Sequence, residues 1–85
     1  MKTFYVIRSG WNAANQSSVG SVRNPKNRFE SNQYMLVGIV VAESAESAIQ
    51  QVGCTCYNGQ SVFAETNPRS VAGLTAELRQ VADAF

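Results

Sequence analysis

The residue types that carry most enzyme chemistry are scarce in this chain. It contains no histidine, so the commonest general base is missing and a Ser-His-Asp or Cys-His arrangement is excluded within one chain. Paired carboxylates can perform acid–base catalysis, and Glu43 and Glu46 form such a pair. Both flank the start of a predicted helix, where the helix dipole already accounts for a carboxylate. The sequence also lacks the glycine-rich motifs that bind phosphates. We therefore expect no catalytic residue and a protein that is not an enzyme.

The two cysteines are the only thiols in the chain. Cys54 and Cys56 are separated by Thr55, a spacing that puts both side chains on the same side of an extended segment. A disulfide between them would close a very small, strained ring, and a structural zinc site needs about four ligands. We expect reduced cysteines that pack as small apolar residues, with no metal and no cofactor. A zinc site shared between two copies and a redox-active Cys-x-Cys pair are the alternatives.

Residues 9–33 have the composition of a recognition surface. They are rich in Ser and Asn and lie between two predicted strands. A structureless loop of this length is uncommon in a small domain unless it is functional, although a short strand near residues 19–23 would shorten it. Trp and Arg are frequent anchors of binding surfaces, while Ser and Asn supply adaptable hydrogen bonds. The candidate binding residues are Trp11, Asn12, Asn15, Arg23, Lys26, Arg28, Phe29 and Tyr34.

Three functions are compatible with that loop. We expect a small non-enzymatic binding or regulatory protein, an inhibitor or adaptor, that acts through protein–protein contacts of residues 9–33. The alternative is a nucleic-acid-binding protein that uses the basic and aromatic stretch 23–34, since Arg and Lys contact phosphates and aromatic rings stack on bases. The second alternative is a module that binds a small polar or phosphorylated ligand.

Length, composition and charge set the wider limits. The chain has 85 residues, of which 45% are hydrophobic and only 15% charged, so we expect a single domain over 1–85 that covers part of its surface with a partner or a second copy. Net charge is +1, but most basic residues fall in 1–42 and most acidic ones in 43–85, which favours a binding face or head-to-tail self-association. No secretory signal is visible, and the longest apolar run, 34–42, is far shorter than the roughly 20 residues of a membrane span. We expect a cytoplasmic protein without membrane contact.

The elements of the first half are two strands and a helix. Residues 3–7 are β-branched and aromatic, and 34–42 are continuously apolar, a pattern typical of a central strand covered on both faces. Gly38 within that run indicates a bulge or a close backbone approach. A short helix should start after Ser44 and end at Gly53. Residues 40–52, VVAESAESAIQQV, are similar to the strand-to-helix step of many small phage and plasmid proteins, a generic pattern that identifies no family.

The second half predicts a hairpin and a further helix. The Asn58-Gly59 dipeptide favours a turn between strands at 54–57 and 60–65. Asn67-Pro68 should begin the last helix, and Thr75 could cap a second start after a bend. The apolar stripe of that helix is Val71, Leu74, Leu78, Val81 and Phe85. We therefore predict a two-layer α+β fold in the order β-loop-β-α-β-β-α, with a mostly antiparallel sheet and both helices on one face.

Overall fold

An antiparallel sheet forms the centre of the structure. The structure is a computed structural model that describes residues 1–10, 13, 33–56 and 59–85. Its described strands are β1 (Lys2–Gly10), β2 (Gln33–Ala42) and β3 (Gln60–Glu65), arranged in the order β2-β1-β3. Two helices, α1 (Ala45–Val52) and α2 (Ala76–Ala84), pack against this sheet. The predicted α+β class with an antiparallel sheet is therefore confirmed.

Gly38 serves both purposes that its place in the sequence indicates. Val6 pairs with Gly38 while Ile7 pairs with Leu36, so Val37 is the extra residue of a bulge in β2. A Cβ placed on Gly38 would lie 2.6 Å from the Cγ2 atom of Val52 on α1. Only glycine lets the helix approach β2 this closely, so the bulge and the close contact are both confirmed.

The ends of α1 follow directly from its capping residues. The Ser44 hydroxyl accepts a 3.1 Å hydrogen bond from the Ser47 amide, which satisfies one of the free donors of the first turn. Gly53 adopts the left-handed conformation with φ of 63°, and its amide donates to the Ile49 carbonyl at 2.9 Å. The predicted helix is confirmed at both ends.

The last helix is divided, as the two capping signals predict. The Asn67 side chain accepts a 2.9 Å hydrogen bond from the Arg69 amide and caps a 3₁₀ helix, Pro68–Ser70. The chain then turns, and the Thr75 hydroxyl caps α2 by accepting from the Leu78 amide at 3.4 Å. Leu78 is completely buried. The bend therefore separates a short N-terminal turn from the helix that carries the main apolar anchor.

The two helices lie on opposite faces of the sheet, so the prediction of two layers with both helices on one face is wrong. Phe4 and Val6 of β1 pack beneath α1, whereas Ile7 packs with Leu78 of α2. Successive side chains of a strand point to opposite faces, which places α1 and α2 on different sides of β1. We call these the α1 face and the α2 face. An apolar stripe shows that a helix must be covered, but it does not identify the face that covers it.

Two strand predictions also need correction. Residues 54–56 are not in a strand, and Tyr57 and Asn58 lie outside the described residues. The predicted strand 60–65 is confirmed, but it pairs with β1, from Tyr5 opposite Glu65 to Gly10 opposite Gln60. The apolar run of β2 was predicted to be central, yet among the described strands β2 is at an edge and β1 is in the middle.

None of the described helices is long and apolar enough to cross a bilayer.

Candidate functional site

A buried arginine lies on the α1 face of the sheet, at the end of the apolar row of β1. Arg8 follows Phe4 and Val6 at alternate positions and is only 2% exposed. Its neighbours across the sheet are Met35 of β2 and Val62 of β3. A charged side chain buried this deeply is rare in proteins and costs stability unless its charge is compensated.

The guanidinium of Arg8 is bound by neutral acceptors among the described residues. Its Nε and Nη2 atoms donate to the Ala13 carbonyl at 3.4 and 3.1 Å. Nη1 donates to the Thr55 carbonyl at 3.4 Å, and Nη2 also lies 3.1 Å from the Met35 sulfur. These contacts satisfy most of the N–H groups, but they add no negative charge. Within the described residues, Arg8 is therefore hydrogen-bonded without being neutralised.

The two cysteines lie beside that guanidinium. Arg8 binds the carbonyl of Thr55, the residue between Cys54 and Cys56, and both thiols are half-buried and unpaired. Burial raises the pKa of the Cys54 thiol, and the charge and hydrogen bonding of Cys56 raise it further, while the positive charge of Arg8 acts in the opposite direction. Cys54 is therefore a protonated thiol at neutral pH. The predicted reduced state of the cysteines agrees with this geometry, but neither is among the buried core residues.

Most of the predicted binding residues lie outside the described part of the chain. They are Trp11, Asn12, Asn15, Arg23, Lys26, Arg28 and Phe29. The residues that bracket this stretch, Gly10 and Gln33, are paired between β1 and β2, so both of its ends are held at one end of the sheet.

Tyr34 is the one predicted binding residue that the structure describes. Its ring packs edge-on against Phe63, with 6.3 Å between the ring centroids, and belongs to the apolar cluster around Ile7. Tyr34 is half-buried on the α2 face, whereas Arg8 lies on the α1 face. The structure thus separates this ring from the buried cation, and much of its surface is committed to packing rather than free to stack on a ligand.

A second candidate surface lies along β2. Ile39 and Val41 are 52% and 56% exposed, although they belong to a continuously apolar strand. Ile39 pairs with Tyr5, whose ring contacts that of the exposed Phe85 at 5.7 Å in an edge-on geometry. These residues form an apolar strip on the α2 face next to the outer edge of β2, which pairs with no other described strand. We call this surface the β2 edge.

Sequence reasoning missed both Arg8 and the β2 edge. The alternation of Phe4, Val6 and Arg8 was a usable signal, because it puts a charged residue at an inward-facing position of a strand. No sequence pattern predicted the exposure of Ile39 and Val41, because their exposure depends on which strand lies beside β2.

The described residues contain no group of three or more His, Cys, Asp or Glu side chains that could hold a metal ion. No family model matches the chain, and no curated protein or solved structure is significantly similar to it. The candidate functional features of the described residues are the cluster of Arg8, Cys54 and Cys56 and the β2 edge.

Proposed function

We propose that the protein is a small non-enzymatic binding protein that contacts another protein through the β2 edge and the adjoining residues 9–33. The observation that supports this most strongly is the uncharged, half-exposed apolar strand at the edge of the described sheet. An intracellular location is part of the proposal, because the two unpaired cysteines suit a reducing compartment.

Within the described part of the chain, the outer edge of β2 lacks most of the usual protection against strand pairing. Natural proteins shield edge strands with charged side chains, proline, short length or a bulge. β2 is 10 residues long and contains neither a charged residue nor proline, so the bulge at Val37 is the only one of these features it has. Such an edge can accept an extended segment of a partner through backbone hydrogen bonds.

The side chains beside that edge add apolar contact area. Ile39 and Val41 project from β2 on the α2 face, and Tyr5 and Phe85 extend the apolar strip away from the edge. A partner strand paired to β2 would cover the first two residues and leave its own alternate side chains facing the strip. This combination of backbone pairing and apolar burial is typical of strand-addition complexes.

Residues 9–33 join the sheet at the end where β2 begins, because Gly10 pairs with Gln33. A partner held on the β2 edge therefore reaches the base of this stretch. Its Trp11, Arg23 and Arg28 are residue types that often supply most of the binding energy of an interface. We propose that they determine which partner is selected, while β2 supplies the docking strand.

The test is capture of partners from the cells that make the protein, with amide hydrogen exchange of the purified complexes. Ile39→Lys should abolish capture, because it places a charge inside the apolar strip. Gln80→Lys, which adds the same charge on the exposed surface of α2, should capture normally. The amides of β2 should exchange more slowly in the complex than in the free protein. Equal capture by both variants, with unchanged exchange in β2, would contradict the docking edge.

Further variants separate the other functions. Trp11→Ala should weaken binding by about 2 kcal/mol or more if the stretch 9–33 provides a protein-binding hot spot. If Arg23→Ala with Arg28→Ala weakens binding more, and binding of the wild type falls steeply with salt, the ligand is a nucleic acid. A dimeric mass in solution that becomes monomeric in Ile39→Lys would identify the partner as a second copy.

A further inference from the structure

We propose that Cys54 and Cys56 bind a monovalent thiophilic metal ion, Cu(I) or its analogue Ag(I), as a two-thiolate complex whose negative charge is balanced by Arg8. This site lies at the guanidinium on the α1 face and is separate from the β2 edge. Metal binding and partner binding can therefore be tested independently.

The positions of the two cysteines support a two-coordinate site. Cys54 and Cys56 flank Thr55, whose carbonyl accepts a 3.4 Å hydrogen bond from Nη1 of Arg8. Both are half-buried, so an ion can reach them without opening the core. Thiolates are the soft ligands that Cu(I) prefers, and a monovalent ion of this kind can be held by two of them. The shortage of ligands that argues against structural zinc does not apply here.

The buried arginine supplies the second, independent reason. Its described partners are the Ala13 and Thr55 carbonyls and the Met35 sulfur, all of them neutral. One monovalent cation bound by two thiolates carries a net charge of −1, which is the charge that none of the described partners gives to the buried guanidinium. A zinc ion on the same two thiolates would give a neutral complex and would bring no negative charge to Arg8. The cluster therefore favours a monovalent over a divalent ion.

The binding step is balanced by proton release. Both cysteines must give up their thiol protons when the two metal–sulfur bonds form, so one ion replaces two protons. The Met35 sulfur already accepts a hydrogen bond from Arg8, and it is not required as a ligand. No electron is transferred, provided that the ion is supplied as Cu(I) to the reduced protein.

The experiment is an anaerobic titration of the reduced protein with Cu(I) in competition with a chromophoric Cu(I) chelator. The wild type should withdraw one ion per chain and release about two protons per ion into a weakly buffered indicator solution. Cys54→Ser and Cys56→Ser should each lower the affinity by about 100-fold or more. The matched control Thr55→Ser, which changes the exposed side chain between the cysteines but keeps the carbonyl, should bind like the wild type.

Two substitutions of Arg8, one that keeps its positive charge and one that removes it, test whether that charge supports metal binding. Arg8→Lys should retain most of the affinity, and Arg8→Met should lose at least about tenfold, with circular dichroism reporting whether each variant is folded. If Arg8→Met does not fold, the affinities of the wild type for Cu(I) and Zn(II) test the role of the charge instead. Zinc should bind more weakly, because its neutral two-thiolate complex does not balance the charge of Arg8. The proposal fails if the chelator retains all Cu(I), if the double variant Cys54→Ser/Cys56→Ser binds normally, or if zinc binds as tightly as Cu(I).

Discussion

Replacing Gly38 by alanine tests how closely α1 approaches β2. The added Cβ would lie 2.6 Å from Cγ2 of Val52 and 3.4 Å from its Cγ1, and the first of these distances is too short for two carbon atoms. Since Val52 is β-branched and stiff about χ1, it cannot easily rotate away. Overpacking of this kind costs about 1–3 kcal/mol, while removing a glycine from a strand returns about 0.5–1 kcal/mol. We therefore expect Gly38→Ala to lower the free energy of unfolding by about 0.5–2 kcal/mol.

When Val52 is shortened to alanine, Gly38→Ala should raise the free energy of unfolding instead of lowering it. Val52→Ala removes both methyl groups near Gly38 and leaves only Cβ, at an ordinary contact distance of 3.6 Å. By itself it should cost about 1 kcal/mol of apolar burial. In that background the clash is gone, so Gly38→Ala should stabilise the protein by about 0.5–1 kcal/mol.

Urea unfolding followed by far-UV circular dichroism gives the four free energies of this double-mutant cycle. The expected coupling energy between the two sites is about 1–3 kcal/mol, the size of the overpacking term. If Gly38→Ala is neutral or stabilising in the wild-type protein, the close approach of α1 to β2 is refuted. A destabilisation that persists with Val52→Ala would show that the bulge itself, rather than the helix contact, requires glycine.

Three further measurements address the core, a helix cap and the thiols. Leu78→Ala should lower the free energy of unfolding by about 2–5 kcal/mol in urea melts, because the side chain is fully buried; a loss below about 1 kcal/mol would show that this part of α2 does not anchor the fold. Thr75→Ala should cost about 1 kcal/mol and Thr75→Ser much less, since only the hydroxyl caps α2; equal losses would assign the effect to the methyl group. The raised pKa of Cys54 means that the folded state favours the thiol, so stability should be unaffected below the ordinary thiol pKa of about 8.5 and should fall as pH rises above it. Cys54→Ser should remove this component of the pH dependence, and an unchanged decline would assign it to another group.

Both ends of α1 and the start of α2 were determined by the sequence alone. α1 begins after Ser44 and ends at Gly53, and Thr75 begins α2 after the break that follows Asn67-Pro68. These predictions held because capping is local: each side chain or backbone conformation satisfies groups only a few residues away. Gly38 could be identified for a similar reason, since a glycine inside a strand has few other uses.

The faces of the sheet and the order of its strands were decided only by tertiary structure. The apolar run of β2 indicated a strand covered on both faces, whereas Ile39 and Val41 are more than half exposed at the described edge. Periodicity reports the environment that a segment needs, but it does not say which segment provides it. The same limit explains why the two apolar helix stripes did not reveal that they use opposite faces.

The candidate sites show this division most clearly. The sequence predicted recognition by residues 9–33 and a merely structural role for the cysteines. Ala13 is only five residues from Arg8, but Met35 and Thr55 are far from it in the chain, and these two contacts form only when β1 lies between β2 and β3. The alternation along β1 already placed a charge on an inward-facing position. Only the folded chain decided that its neighbours would be two carbonyls, a thioether and a pair of thiols, because burial brings together groups that the sequence keeps apart.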